Sequence, residues 1–127
     1  REYGAYFIHI STDYVFSGQA KKPYLESDPV GPQSVYGQSK LEGERFIQDN
    51  YPKGSAILRT SWLHGKKGPN FVQAMVKLFG EREEVKVVND QVGCPTWAGW
   101  LAEVIIDLIR LEKKPYGILH ASCSGST

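Results

Sequence analysis

Tyr36 and Lys40 stand four positions apart in Val35-Tyr36-Gly37-Gln38-Ser39-Lys40. In a helix that spacing puts a phenol and an ammonium on one face. A free phenol holds its proton to about pH 10, too tightly for efficient transfer at neutral pH, and a neighbouring ammonium stabilises the phenolate. Tyr-x-x-x-Lys is weak evidence alone, because the two types meet at this spacing on many helices. Thr12, 24 positions before Tyr36, and its neighbour Ser11 strengthen it by offering hydroxyls at the end of an apolar run. Hydroxyls, a phenol and an ammonium are what a carbonyl reduction needs, namely donors for an oxygen that gains negative charge and a proton to complete the alcohol. Gly43, further along the same helix face, would let another element approach closely.

Positioning such groups requires a scaffold, and the hydrophobic pattern supplies one. Tyr3 to Ile10, rich in aromatic and β-branched residues, predicts a strand that runs into Ser11-Thr12-Asp13-Tyr14-Val15-Phe16. Gly18 to Ser34 carries three prolines and several charges and predicts a long surface loop. A helix is expected over Val35–Asn50 with Ser34 as N-cap. Ser55 to Trp62 predicts a strand. Asn70 caps a predicted helix from Phe71 to Phe79, with Gly80 stopping it. A short strand is expected over Val85–Val88, a helix over Trp97–Glu112 with Thr96 as cap, and an extended segment over Tyr116–Ala121. Strands alternating with helices predict an α/β fold with a parallel sheet. Ligands in such sheets bind beyond the carboxyl ends of the strands, which singles out Ser11–Tyr14, Thr60–His64 and Asn89–Gly93.

The chain's 127 residues make one domain, large enough for a true core. Fifteen Lys and Arg against 14 Asp and Glu leave a net charge of +1, which argues against nucleic acid or an acidic membrane as partner. Its 41% hydrophobic and 23% charged residues place it with globular chains rather than disordered ones. No apolar run is long enough to span a bilayer and no signal peptide is visible. Cys94 and Cys123 lie 29 positions apart outside any metal or redox pattern; one disulfide could form, but two reduced thiols in a cytoplasmic protein are expected. His9, His64 and His120 lack ligand spacing and are expected to cap or edge strands, so no metal site is predicted.

Four segments resemble one family. Ser11-Thr12-Asp13-Tyr14-Val15-Phe16-Ser17-Gly18, Val35-Tyr36-Gly37-Gln38-Ser39-Lys40-Leu41-Glu42-Gly43-Glu44, Arg59-Thr60-Ser61-Trp62 and Asn89-Asp90-Gln91-Val92-Gly93-Cys94-Pro95-Thr96 look like the dTDP-4-dehydrorhamnose reductases, which are extended short-chain dehydrogenases/reductases. The resemblance covers nearly the whole chain, in the family's order. It implies part of a Rossmann-like, doubly wound parallel sheet with the start of a smaller substrate-binding region. It also implies reduction of dTDP-4-dehydro-β-L-rhamnose to dTDP-β-L-rhamnose with NADPH or NADH, in the cytoplasm, and leaves a homo-oligomer open. Tyr36 matches the family's general acid. Lys40 matches the residue that binds the nicotinamide ribose and eases ionisation of the phenol. Thr12 matches the hydroxyl that bonds the substrate carbonyl, and Ser11 is placed beside it on the cofactor side. Asp13 and Trp62 match sugar-nucleotide contacts, with Tyr14 in the same wall.

The family's Gly-rich phosphate-binding turn is not found here. Gly65-Lys66-Lys67-Gly68 follows the wrong strand and lacks the tight glycine spacing. The whole of 1–127 is therefore expected to be the catalytic, C-terminal portion of an NAD(P)-binding reductase whose N-terminal half lies elsewhere. A second reading is a non-catalytic relative, like the regulatory β subunit of methionine adenosyltransferase, whose corresponding run reads Ser-Ser-Asp-Tyr-Val-Phe. Thr12 and the Trp62 segment favour the reductase.

Overall fold

In a computed structural model that describes residues 4–127, three strands form a parallel sheet in the order β1-β2-β5. Strand β1 spans Phe7–Thr12, β2 spans Ser55–Thr60 and β5 spans Gly117–His120. Phe7 lies opposite Ser55 and Thr12 opposite Thr60, while Ala56 lies opposite Gly117 and Arg59 opposite His120. All six residues of β2 are buried, as expected of the middle strand of a parallel sheet covered on both faces.

Side chains alternate across that sheet, and each face meets a helix. Ala56 and Leu58 pack with Leu101, Ile105 and Leu108 of helix α3, Ala98–Arg110, together with Ile8, Ile10 and Leu119. The opposite face, carrying Ser11 and Arg59, is covered by helix α1, Val35–Asn50. In α1 the Ser34 hydroxyl accepts from Gly37 N at 3.0 Å, and the chain turns away at Tyr51 before Pro52. Its buried residues, Gly37, Leu41, Glu44 and Ile47, recur at three and four positions and form one stripe.

Glu44 has no exposed surface. Its carboxylate accepts from Arg59 Nε at 3.0 Å and Nη2 at 2.7 Å, and from Ser11 Oγ at 2.5 Å. Arg59 Nη1 donates to the Glu26 carbonyl, and its guanidinium lies over the Phe16 ring, 4.9 Å from its centroid. One carboxylate thus ties α1 to β1 and β2, and through Arg59 to the loop. Within that loop Tyr24 stacks on Phe16 at 4.3 Å, and Tyr24 and Val30 close over Val15, Phe16 and Leu41.

Several boundaries differ from the sequence expectation. Strand β1 begins at Phe7, leaving Gly4–Tyr6 outside the strand, and runs two residues further than expected, to Thr12; the expected first residue, Tyr3, lies outside the described residues. Strand β2 stops at Thr60, short of the expected Trp62, because the chain bends at Trp62, where φ is 43°. Helix α2, Phe71–Glu81, begins on the expected Asn70 cap but continues through Gly80, whose backbone stays helical at a cost of about 1 kcal/mol relative to alanine. Val85–Val88 forms no strand: Val87 and Val88 are exposed, and no described strand offers them a ladder. Thr96 does not cap α3. Its hydroxyl donates to the Cys94 carbonyl and accepts from Cys123 N, so Trp97 stands at the cap without a side-chain bond, and the helix ends at Arg110 instead of Glu112. Two short elements were not anticipated, a 3-10 turn over Asp13–Val15 and a parallel pair of β3, Leu63–His64, with β4, Thr96–Trp97.

His9 and His120 sit in β1 and β5 with buried, unpartnered Nε2 atoms. Burial pushes His9 below its usual 6.5; the Lys40 charge adds to this and Glu44 opposes it. Burial likewise lowers His120, with Arg59 in the same sense and Glu26, Asp28 and Glu44 opposing. The unfolded chain takes up these protons at higher pH than the folded one, so their contribution is full above about pH 6.5 and is lost as pH falls. Melting followed by circular dichroism should show a lower Tm at about pH 5.5 than at about pH 7.5, and the gap should narrow in His120→Gln.

Removing one member of a buried ion pair strands the other, typically at about 3–5 kcal/mol. Glu44→Ala should lose stability on that scale in urea unfolding, and Glu44→Leu with Arg59→Met should recover most of it. A Glu44→Ala loss below about 1 kcal/mol would contradict this account.

Candidate active site

The carboxyl ends of β1 and β2 open into a cleft of about 390 Å³ whose lining includes Ser11, Thr12, Asp13, Tyr14, Tyr36, Lys40 and Trp62. The seven residues to which the resemblance gives site roles therefore line one cleft. Tyr36 projects from the first turn of α1 and is 55% exposed. Its ring meets that of Tyr14 edge-on, with centroids 6.0 Å apart. Lys40, one turn later, donates from Nζ to the Ile10 carbonyl at 2.5 Å, which holds the ammonium against the end of β1.

Thr12 is buried and doubly engaged. Its hydroxyl accepts from Tyr14 N at 3.2 Å, capping the 3-10 turn, and donates to Asp13 Oδ1 at 3.0 Å. Burial raises the Asp13 carboxyl above its usual range, against the Thr12 bond and local backbone N–H groups that lower it. Ser11 lines the cleft, but its hydroxyl hydrogen points to Glu44. Trp62 has φ of 43°, the positive value found at no other described non-glycine residue. Its carbonyl accepts from Thr96 N at 3.2 Å.

Two features of the sequence carried more than was read from them. The close approach expected at Gly43 is an ordinary contact, 3.6 Å from the His9 ring to where a Cβ would sit. The demanding glycine is Gly37, where a Cβ would lie 2.3 Å from the Tyr14 carbonyl oxygen. Glu44 and Arg59 were not singled out as a pair. The available signal was that Glu44 continues the Tyr36, Lys40 spacing of four along the sheet-facing stripe, where an acid requires a buried cation. Asn89–Gly93 lies outside this cleft; Gly93 borders a smaller one beside it. Both cysteines are free thiols, with Cys94 Sγ donating to the Cys123 carbonyl at 2.6 Å. Among the described residues no His, Cys, Asp or Glu cluster could hold a metal, and no helix is long and apolar enough to cross a membrane.

A parallel sheet with helices on both faces, and a Tyr-x-x-x-Lys pair over the carboxyl end of its first strand, defines a Rossmann-like α/β protein of the short-chain dehydrogenase/reductase type. The comparisons narrow this. The chain belongs to the RmlD substrate binding domain family, which matches residues 1–127. It is 46% identical over 129 residues to dTDP-4-dehydrorhamnose reductase of Escherichia coli, covering 99% of this chain and 43% of that protein. A dTDP-4-dehydrorhamnose reductase structure from Clostridium acetobutylicum superposes with a TM-score of 0.90 at 47% identity, over 98% of this chain and 43% of that one. The enzyme from Bacillus anthracis, solved in complex with NADP, gives a TM-score of 0.89 at 45% identity, over 97% and 43%. The chain thus spans less than half the length of the curated relatives it matches.

Because the obstacle at Gly37 is backbone, a side chain there must push α1 off the sheet end and carry Tyr36 with it. Gly37→Ala should lower Tm by several degrees. A crystal structure of the variant should show the first turn of α1 displaced from Tyr14; an unmoved turn would refute the assignment.

Proposed function

We propose that this chain is the catalytic portion of a reductase that converts dTDP-4-dehydro-β-L-rhamnose to dTDP-β-L-rhamnose at the expense of NADPH or NADH. The observation that carries this reading is the gathering of Thr12, Asp13, Tyr14, Tyr36, Lys40 and Trp62 in one cleft at the carboxyl ends of parallel strands. The names of the relatives support reduction of a dTDP-4-keto sugar: the Escherichia coli relative is a dTDP-4-dehydrorhamnose reductase, and a relative of Streptomyces niveus, 43% identical, is named for another such sugar as a dTDP-4-keto-6-deoxy-D-glucose reductase. Reductases among the relatives also disfavour the alternative of a non-catalytic regulatory subunit.

The donor set suits the nicotinamide end of the cofactor. An ammonium has three hydrogens to give, and Lys40 directs one to Ile10, which leaves others for ribose hydroxyls. The pyrophosphate end needs backbone N–H groups at a helix N-terminus, and in this proposal they belong to the part of the protein outside this chain. When bound, the reduced nicotinamide supplies the hydride that reaches C4 of the sugar.

The residues of this chain then deal with the oxygen. As C4 receives hydride, negative charge develops on its oxygen, and Tyr36 delivers the proton that completes the hydroxyl. Lys40, one helical turn away, stabilises the phenolate left behind. The Thr12 hydroxyl, which donates to Asp13, lies where a substrate carbonyl would compete for the same hydrogen. Trp62 and Tyr14 give the sugar apolar walls. A cytoplasmic location and a nucleotide-sugar partner follow from the same reading.

In the complete protein that carries this chain, Tyr36→Phe should cut kcat by about 10²- to 10⁴-fold. KM for the sugar nucleotide should change little, because the hydroxyl is needed only as charge develops. Tyr36 is half exposed, so Tm should hold. Turnover of dTDP-4-dehydrorhamnose at near the parental kcat would remove Tyr36 from the mechanism.

A further inference from the structure

Beside the main cleft lies a second, of about 170 Å³, bordered by Gly93, Cys94, Arg59 and His120. Asp13, Thr60 and Ser61 line both clefts. Trp62 lines the first, and its indole rests on Gly93 of the second: a Cβ at position 93 would lie 2.4 Å from Cε2, 2.6 Å from Cζ2 and 2.9 Å from Cδ2. The indole, a wall of the first cleft, is thus seated with one edge against the bare backbone of a residue that borders the second.

We propose that Gly93 is the positioning residue for the Trp62 wall, and so sets the width of the sugar side of the site. The indole's placement is argued from geometry alone; its consequence for substrate rests on the reductase reading above. Both backbones at this contact are held. Gly93 exchanges two hydrogen bonds with Thr127, N to O at 3.0 Å and O from N at 2.9 Å. Next to it the Cys94 carbonyl accepts from Ser61 Oγ at 2.6 Å, and the Trp62 carbonyl is tied to Thr96 N. Trp62 also leaves its backbone at a positive φ of 43°, a conformation strained for a non-glycine residue that persists where surroundings enforce it. With both chains pinned, the soft coordinates are the indole's own torsions. A methyl group at position 93 turns the ring away, into one cleft or the other, and changes both.

The test replaces every tryptophan of the complete protein, Trp62, Trp97 and Trp100 of this chain among them, with 5-fluorotryptophan. The fluorine resonance missing from Trp62→Leu identifies that ring. In Gly93→Ala this resonance should shift while those of Trp97 and Trp100 stay; a Trp62 resonance that does not move overturns the proposal. In steady-state kinetics Gly93→Ala should raise the sugar-nucleotide KM about tenfold and change the NADPH KM less than twofold. On a Trp62→Leu background the same substitution should cost less than twofold. An equal penalty on both backgrounds means that Gly93 acts by another route, and the proposal falls. Should Gly93→Ala fail to fold, recovery of folding in the double variant supports the proposal and failure of both refutes it. If the unsubstituted protein reduces no dTDP-4-keto sugar, the reductase reading fails, and the fluorine spectrum still decides the role of Gly93.

Discussion

A charge taken out of water must find its partners inside the protein, and Glu44 finds all of its partners on two strands. The carboxylate has two oxygens and three donors, Ser11 Oγ and the Nε and Nη2 of Arg59. Burial of this kind is a poor source of net stability, because desolvation consumes most of the attraction. It is a good source of uniqueness. Sliding α1 along the sheet would leave a carboxylate and a guanidinium each without a partner in an apolar layer, whereas an all-aliphatic contact would tolerate many registers. The pair therefore selects one placement of α1, and the phenol and ammonium of the cleft ride on that helix.

The same constraint reaches the loop that closes the α1 face. Arg59 also donates from Nη1 to the Glu26 carbonyl and sets its guanidinium over the Phe16 ring, while the Glu26 carboxylate accepts from His120 N at 3.0 Å. A connection of this length would ordinarily be free to wander. Here it is stitched to β2 and β5 through one guanidinium and one glutamate.

What could be read from the sequence was local. Helix α1 has its expected bounds because Ser34, the Leu41–Ile47 stripe and Pro52 are signals within one segment, and Asn70 marks α2 for the same reason. The gathering of Thr12, Tyr36 and Lys40 was also readable, since a parallel sheet brings strand ends and helix starts to one edge. Val85–Val88 departs from its strand expectation because β-branched residues favour a strand only where another strand accepts its hydrogen bonds. The Glu44–Arg59 pair and the seat of Trp62 on Gly93 were not read, because each joins distant segments whose register no single stretch encodes. Gly37 and Gly43 show the same limit: both lie in α1, and only the path of β1 and the turn after it decides which one meets backbone.

Lys40 is anchored differently from Glu44. Its partner is the carbonyl of Ile10, a group present at that position whatever side chain stands there. Substitutions at position 10 can alter packing against α3 but cannot delete the acceptor, whereas one codon change at 11, 44 or 59 removes part of the carboxylate clamp. The ammonium of the cleft is thus insulated from sequence drift in the strand beneath it. Descendants of this chain could exchange the residues that shape the sugar pocket while keeping a cation at the same point on the strand end.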